Sequence, residues 1–155
     1  PEAEQYVIDV LIKRRDKLGR YWFRRVNPVD KFIFTKNSAG QIQFRFTDLG
    51  ISTKLFSKEN TTYKLGLFDE NNNQLGNWIV TDKPILPLTG PENNLGQALS
   101  AHVSTSNGIN KPAVFKVRII TKRPELKKKQ PVDVYFSYAE NPLNLRIIGI
   151  DRKYE

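Results

Sequence analysis

The sequence predicts an all-β fold, an antiparallel β-sandwich of immunoglobulin-like or Greek-key type with about eight to ten short strands. Three observations lead there. Apolar and polar residues alternate at a period of two through several runs. Those runs are rich in β-branched and aromatic side chains, and clusters of Asn, Asp, Gly and Pro separate them. The 155 residues fit one domain, taken as residues 1–155.

The first element expected is a basic hairpin. Asp16-Lys17-Leu18-Gly19 carries Asp at the first and Gly at the fourth position of a type I turn. Lys13, Arg14, Arg15, Lys17, Arg20, Arg24 and Arg25 surround Tyr21, Trp22 and Phe23 on either side of it. A three-residue loop with a bulge sets Arg14 opposite Trp22, and a two-residue loop sets Lys13 there instead. The run 32–35 follows, joined through Lys36-Asn37-Ser38-Ala39-Gly40 to Ile42, Phe44 and Phe46, which alternate with Gln41, Gln43 and Arg45.

Residues 48–57 hold a short helical turn at most. Tyr63, Leu65 and Leu67 then alternate with Lys64 and Gly66, and Asp69-Glu70-Asn71-Asn72-Asn73 turns the chain toward 74–81. Pro84, Pro87, Gly90 and Pro91 make 82–94 a long ordered crossover rather than a strand. A second short helical stretch is expected at 95–102. Phe115, Val117 and Ile119 form the next strand, and Val132, Val134, Phe136 and Tyr138 the one after. Glu140-Asn141-Pro142-Leu143-Asn144 returns the chain into 145–151. No long amphipathic helix is expected. The core is expected at Ile42, Phe44, Phe46, Leu65, Leu67, Phe115, Val117, Ile119, Val134 and Phe136.

Composition removes whole classes of chemistry. The chain has no Cys, which excludes disulfides, thiolate zinc sites and cysteine nucleophiles. Its single His excludes multi-histidine metal sites within one chain. No apolar run approaches the ~18 residues of a membrane span. Met is absent even at position 1, where Pro1 stands, so the expectation is a segment processed or cut from a larger protein. The lack of Cys adds a lean toward an extracytoplasmic, secreted or periplasmic setting.

Two basic clusters are candidate sites on a chain of formal net charge +9. Arg14, Arg20, Trp22 and Arg24 put cations beside an indole, a pattern suited to stacking on a sugar or base while binding its anionic groups. The bland reading is a charged strand edge that discourages aggregation. Lys122, Arg123, Lys127, Lys128 and Lys129 form a second patch that would attract polyanions in a salt-dependent way, or simply keep a loop solvated.

Other motifs carry less. Asp69, Asn71 and Asn73 have the one-three-five spacing of a calcium loop, but Gln74 stands where the loop needs Gly, and a hairpin turn accounts for every residue. Leu86-Pro87-Leu88-Thr89-Gly90 has the letters of a sortase recognition motif, far from the terminal context in which that motif works. Ser100, His102 and Ser104 share one strand face but point in parallel, which does not build a triad. No metal or cofactor is expected, and the chain is expected not to be an enzyme.

The leading expectation is a non-catalytic interaction or assembly domain that binds a protein partner or the other domains of its parent. The alternative, from another class, is a ligand-binding module for an anionic polysaccharide or, less favoured, nucleic acid, acting through the basic and aromatic hairpin.

Overall fold

Strand β2 (Ile42–Asp48) shows how the alternation is used. Ile42, Phe44, Phe46 and Asp48 are buried, while Gln43, Arg45 and Thr47 between them keep contact with solvent. The same logic extends over two facing sheets in the computed structural model, which describes residues 2–89, 113–126, 130–138 and 144–152. One sheet has the order β1 (Val29–Lys36), β2, β5 (Ile85–Pro87). The other runs β4 (Ile79–Thr81), β3 (Thr62–Asp69), β6 (Ala113–Lys122), β7 (Val132–Tyr138), β8 (Leu145–Arg152). All neighbouring strands are antiparallel. The chain changes sheet between β2 and β3, between β4 and β5, and again between β5 and β6. The fold is a β-sandwich of eight strands among the described residues.

All ten expected core positions lie in one buried cluster fed by both sheets. Aromatic rings join the layers: Phe34 meets Phe136 at 5.1 Å between centroids, and Phe46 meets Tyr63 edge-on at 5.1 Å. Such pairs contribute on the order of 0.5–1.5 kcal/mol beyond their buried area. The Asp69 turn is self-sufficient, since its carboxylate accepts hydrogen bonds from the Asn71 and Asn73 backbone N–H groups and the Asn73 amide. Asn72 takes the left-handed backbone that Asn tolerates, at φ 64°.

Two expectations about elements fail. The crossover 82–94 contains a short strand, β5, at the edge of the smaller sheet. Its prolines fit because an edge strand needs only one row of hydrogen bonds: Phe46 N–H donates to Pro84 O, and Leu88 N–H donates to Ile42 O. Leu86 and Leu88 are fully buried, so the sortase-like letters belong to the core. The second stretch, 95–102, lies outside the described residues, as does the Ser100, His102 and Ser104 trio.

The larger correction concerns the N-terminus, where the basic hairpin is replaced by helix α1 (Glu2–Phe23). No proline interrupts residues 2–23, and Glu, Ala, Gln, Leu, Lys and Arg favour the helix. Glu2 and Glu4 lie in the first turn and Arg20 in the last, matching the helix dipole. Gln5 bonds Asp9 one turn on. The helix closes with Arg25 and Val26 N–H groups on Trp22 O, and Pro28 follows.

Gly19, read as a turn residue, has another reason to be glycine. A Cβ there would lie 2.5 Å from Leu55 Cδ1, so in this arrangement glycine leaves room for the Leu55 side chain that follows α2 (Leu49–Ser52). That short helix is capped by Asp48, whose carboxylate accepts from the Gly50 and Ile51 N–H groups. Asn27 fixes the chain leaving α1. It is buried, it donates to the Ile119 and Gln130 carbonyls, and its own side-chain oxygen accepts from the Thr121 hydroxyl.

Candidate functional site

Helix α1 buries none of its 22 residues, whereas the long strands β2, β3, β6 and β7 each bury several. Eight of the twelve large exposed hydrophobics among the described residues are on it: Tyr6, Val7, Ile8, Leu11, Ile12, Leu18, Tyr21 and Trp22. Val7, Leu11, Leu18 and Trp22 follow helical spacing and share one face, with Leu11 58%, Leu18 61% and Trp22 57% exposed. The side turned to the sandwich is another one. Gly19 packs on Leu55, Arg20 Nη1 donates to Leu55 O at 2.7 Å, and Phe23 is half-buried. At ~100° per residue the exposed stripe lies roughly a third of a turn away from that contact side.

The four residues expected to bind an anionic ligand separate on the helix. Arg20 and Arg24 come together with Lys17, Tyr21 and Arg25 around an open cavity of about 380 Å³. Arg14 and Trp22 do not line it, and the expected facing of Arg14 and Trp22 is lost. Eight residues apart on a helix, they stand ~12 Å from one another along the axis. Trp22 instead meets Tyr21 edge-on at 5.4 Å, and the Arg25 guanidinium lies 3.7 Å from the centre of the Tyr21 ring. Arg25 also donates to Tyr21 O, closing the helix terminus.

Of the second basic patch, two residues are described, and they part company. Lys122 ends β6 on the surface, beside a cleft of about 480 Å³ that includes Asn60, Thr62 and Leu126. Arg123, the next residue, turns inward. Its side chain is fully buried, pairs with the Asp48 carboxylate and lies 5.0 Å from the Phe56 ring. The physical reason is the buried negative charge of Asp48 at the end of β2, which its neutral hydrogen-bond donors do not neutralise and the Arg123 guanidinium does. Lys127, Lys128 and Lys129 lie outside the described residues.

Charges on the outer face of the larger sheet are likewise occupied. Asp133 is buried, accepts two hydrogen bonds from Arg118 at 2.7 and 2.6 Å, and has Lys116 Nζ at 3.5 Å. Lys116 also bonds Asn72. Hydrogen bonding to Asp133 raises the Arg118 pKa, while burial, with Asp133 and Asp151 nearby, raises that of Tyr135. Lys64 sits 4.5 Å from the Trp78 ring, which lies over Gly66 so closely that a Cβ there would meet it at 2.8 Å. These groups satisfy one another and form a finished surface.

The sequence reading missed the stripe on α1. Its signal was present in the apolar residues at 7, 11, 18 and 22 and in the acidic start and basic end. Comparisons with family models, with curated proteins and with solved structures find no match for the chain.

Proposed function

We propose that the protein is a non-catalytic interaction or assembly domain that contacts its partner through α1. One observation carries the reading: a 22-residue helix anchored at its C-terminal end carries an apolar stripe that its own sandwich leaves exposed. Apolar surface concentrated on one projecting element marks a contact face. The absence of Cys is compatible with an extracytoplasmic setting for the domain.

Site-specific photo-crosslinking of the full-length protein in its native cells tests this. A benzophenone side chain at Leu11 should yield an adduct of discrete mass, and one at Val80, exposed on β4, should not. No adduct from Leu11, or equal adducts from both positions, overturns the proposal.

A second reading rests on the cavity edged by Lys17, Arg20, Arg24 and Arg25 around Tyr21, a setting for an anionic glycan or single-stranded nucleic acid. Under it, Arg24→Ala weakens heparin or single-stranded DNA binding and flattens the salt dependence, and Tyr21→Ala weakens binding at every salt concentration. Binding unmoved by Tyr21→Ala reduces the cluster to unspecific charge.

A further inference from the structure

We infer that Lys116 and Asn72 react in the folded chain to form a side-chain amide, an isopeptide cross-link between β6 and the β3–β4 turn, with Asp133 carrying the proton. Lys116 is the one buried lysine among the described residues, although it stands on the outer face of its sheet. Its amine contacts the side-chain oxygen of Asn72, and a carboxylate oxygen of Asp133 lies 3.5 Å from the same nitrogen. The Lys116 and Asp133 side chains are only 5% and 3% exposed. The Phe68 and Tyr135 rings flank the nitrogen at 5.4 and 5.7 Å. Nucleophile, acyl carbon and proton acceptor therefore meet in one spot that is largely closed to competing water.

The turn presents the acyl group. The Asp69 carboxylate accepts the Asn71 and Asn73 N–H groups and also engages the Asn73 amide. Asn72, held between them at φ 64°, is the one whose carboxamide reaches across to β6. An amine touching a carboxamide oxygen is at most one C=O bond length, ~1.2 Å, further from the carbonyl carbon. A small side-chain rotation then gives the near-attack separation of about 3–3.5 Å. Arg118 fixes the proton acceptor from the other side, with two hydrogen bonds to Asp133.

The step balances without an oxidant or any added reactant. Lys116 hands one ammonium proton to Asp133, and the free amine attacks Asn72 Cγ. A second proton passes from Nζ to the departing Asn72 nitrogen, and the Cγ–Nδ2 bond breaks as the new amide forms. Ammonia leaves and takes up the Asp133 proton, which restores the carboxylate. The product joins residues 44 apart in a chain that has no Cys, and it closes a loop as a disulfide would.

Intact-mass spectrometry of the folded full chain after prolonged incubation, followed by tryptic mapping, tests this. The expected chain is about 17 Da lighter than its sequence, the mass of the ammonia released. The map should contain a branched peptide in which Asn72 is joined to Lys116 and trypsin has not cut after Lys116. Lys116→Arg keeps a buried cation but has no primary amine, and Asn72→Gly suits the left-handed backbone. Both should retain the β-sheet circular dichroism and the full mass. Asp133→Ala should form the bond at least about tenfold more slowly. An unchanged wild-type mass overturns the inference, as does bond formation at the wild-type rate in Asp133→Ala. A loss that persists in Asn72→Gly, or that maps to an unbranched peptide as a succinimide of the Asn71-Asn72-Asn73 run would, also overturns it. So does a loss of about 18 Da, which is water and joins Lys116 to a carboxylate instead.

Discussion

Arg123 reaches from the end of β6 to the Asp48 carboxylate at the end of β2, so a buried ion pair links the two sheets at this corner. Asp48 also caps α2 and accepts the Tyr63 hydroxyl at 2.9 Å. The corner on which α1 rests is therefore organised around one carboxylate.

Removing the cation alone leaves that carboxylate buried without its partner. Arg123→Met should cost about 3–5 kcal/mol in urea unfolding. Asp48→Asn in the same chain should recover part of the loss, because Asn still caps α2 and no longer carries a charge. A double variant no better than Arg123→Met would show that the pair is not what holds the corner.

Burial, the neighbouring Asp48 charge and the hydrogen bond to it push the Tyr63 phenol well above its ordinary value of 10.0. The folded protein thus keeps this proton at a pH where the unfolded chain releases it. Tyr63 contributes fully below pH 10, and its contribution declines as pH rises above 10, by at most ~1.4 kcal/mol per pH unit for one proton. Tyr63→Phe should be less stable at neutral pH and should lose stability less steeply above pH 10. Parallel alkaline slopes in wild type and variant would contradict this.

Asp133 faces Arg118 directly across β6 and β7, with Lys116 buried beside it. Asp133→Ala strands the Lys116 ammonium and should cost about 3–5 kcal/mol. Arg118→Ala leaves Lys116 with the carboxylate and should cost less. Thermal unfolding of the two variants ranks them, and the reverse order would argue against Lys116 as the dependent group.

Gly19→Ala raises helix propensity, but its new Cβ would lie 2.5 Å from Leu55 Cδ1 and must turn the end of that buried side chain aside. Such overpacking costs roughly 1–3 kcal/mol. Adding Leu55→Ala should relieve the clash, so the double variant loses less than the sum of the two singles. Strict additivity would place the contact elsewhere.

The strands were legible because burial follows the pleat. Phe44, Leu65, Val117 and Val134 each sit on a run where neighbours alternate, and sheet geometry turns that alternation directly into an inside and an outside. The helix was not legible for two reasons. Asp16 and Gly19 fit a type I turn by their spacing, whereas Gly19 answers to Leu55, 36 residues further along the chain. The apolar residues of α1 also have no counterpart within the sandwich, so nothing in the strand pattern demands them. Arg123 was misplaced on the surface because the demand for it comes from Asp48, far away in sequence, and a run of basic residues looks solvated when its partners are unseen. Strand β5 hid behind its prolines, which an edge position tolerates.

Amide hydrogen exchange along α1 is the most direct measurement of the central proposal, that its stripe is a contact face for a second molecule and not for its own sandwich. Wild type and the Leu11→Asp, Leu18→Asp double variant are compared at one concentration, with β3, β6 and β7 as internal references. The account predicts slow exchange over residues 6–22 in wild type and exchange on the order of 100-fold faster in the variant, with the three strands unchanged. Exchange equally fast in both proteins, or strands that lose protection together with the helix, would contradict it.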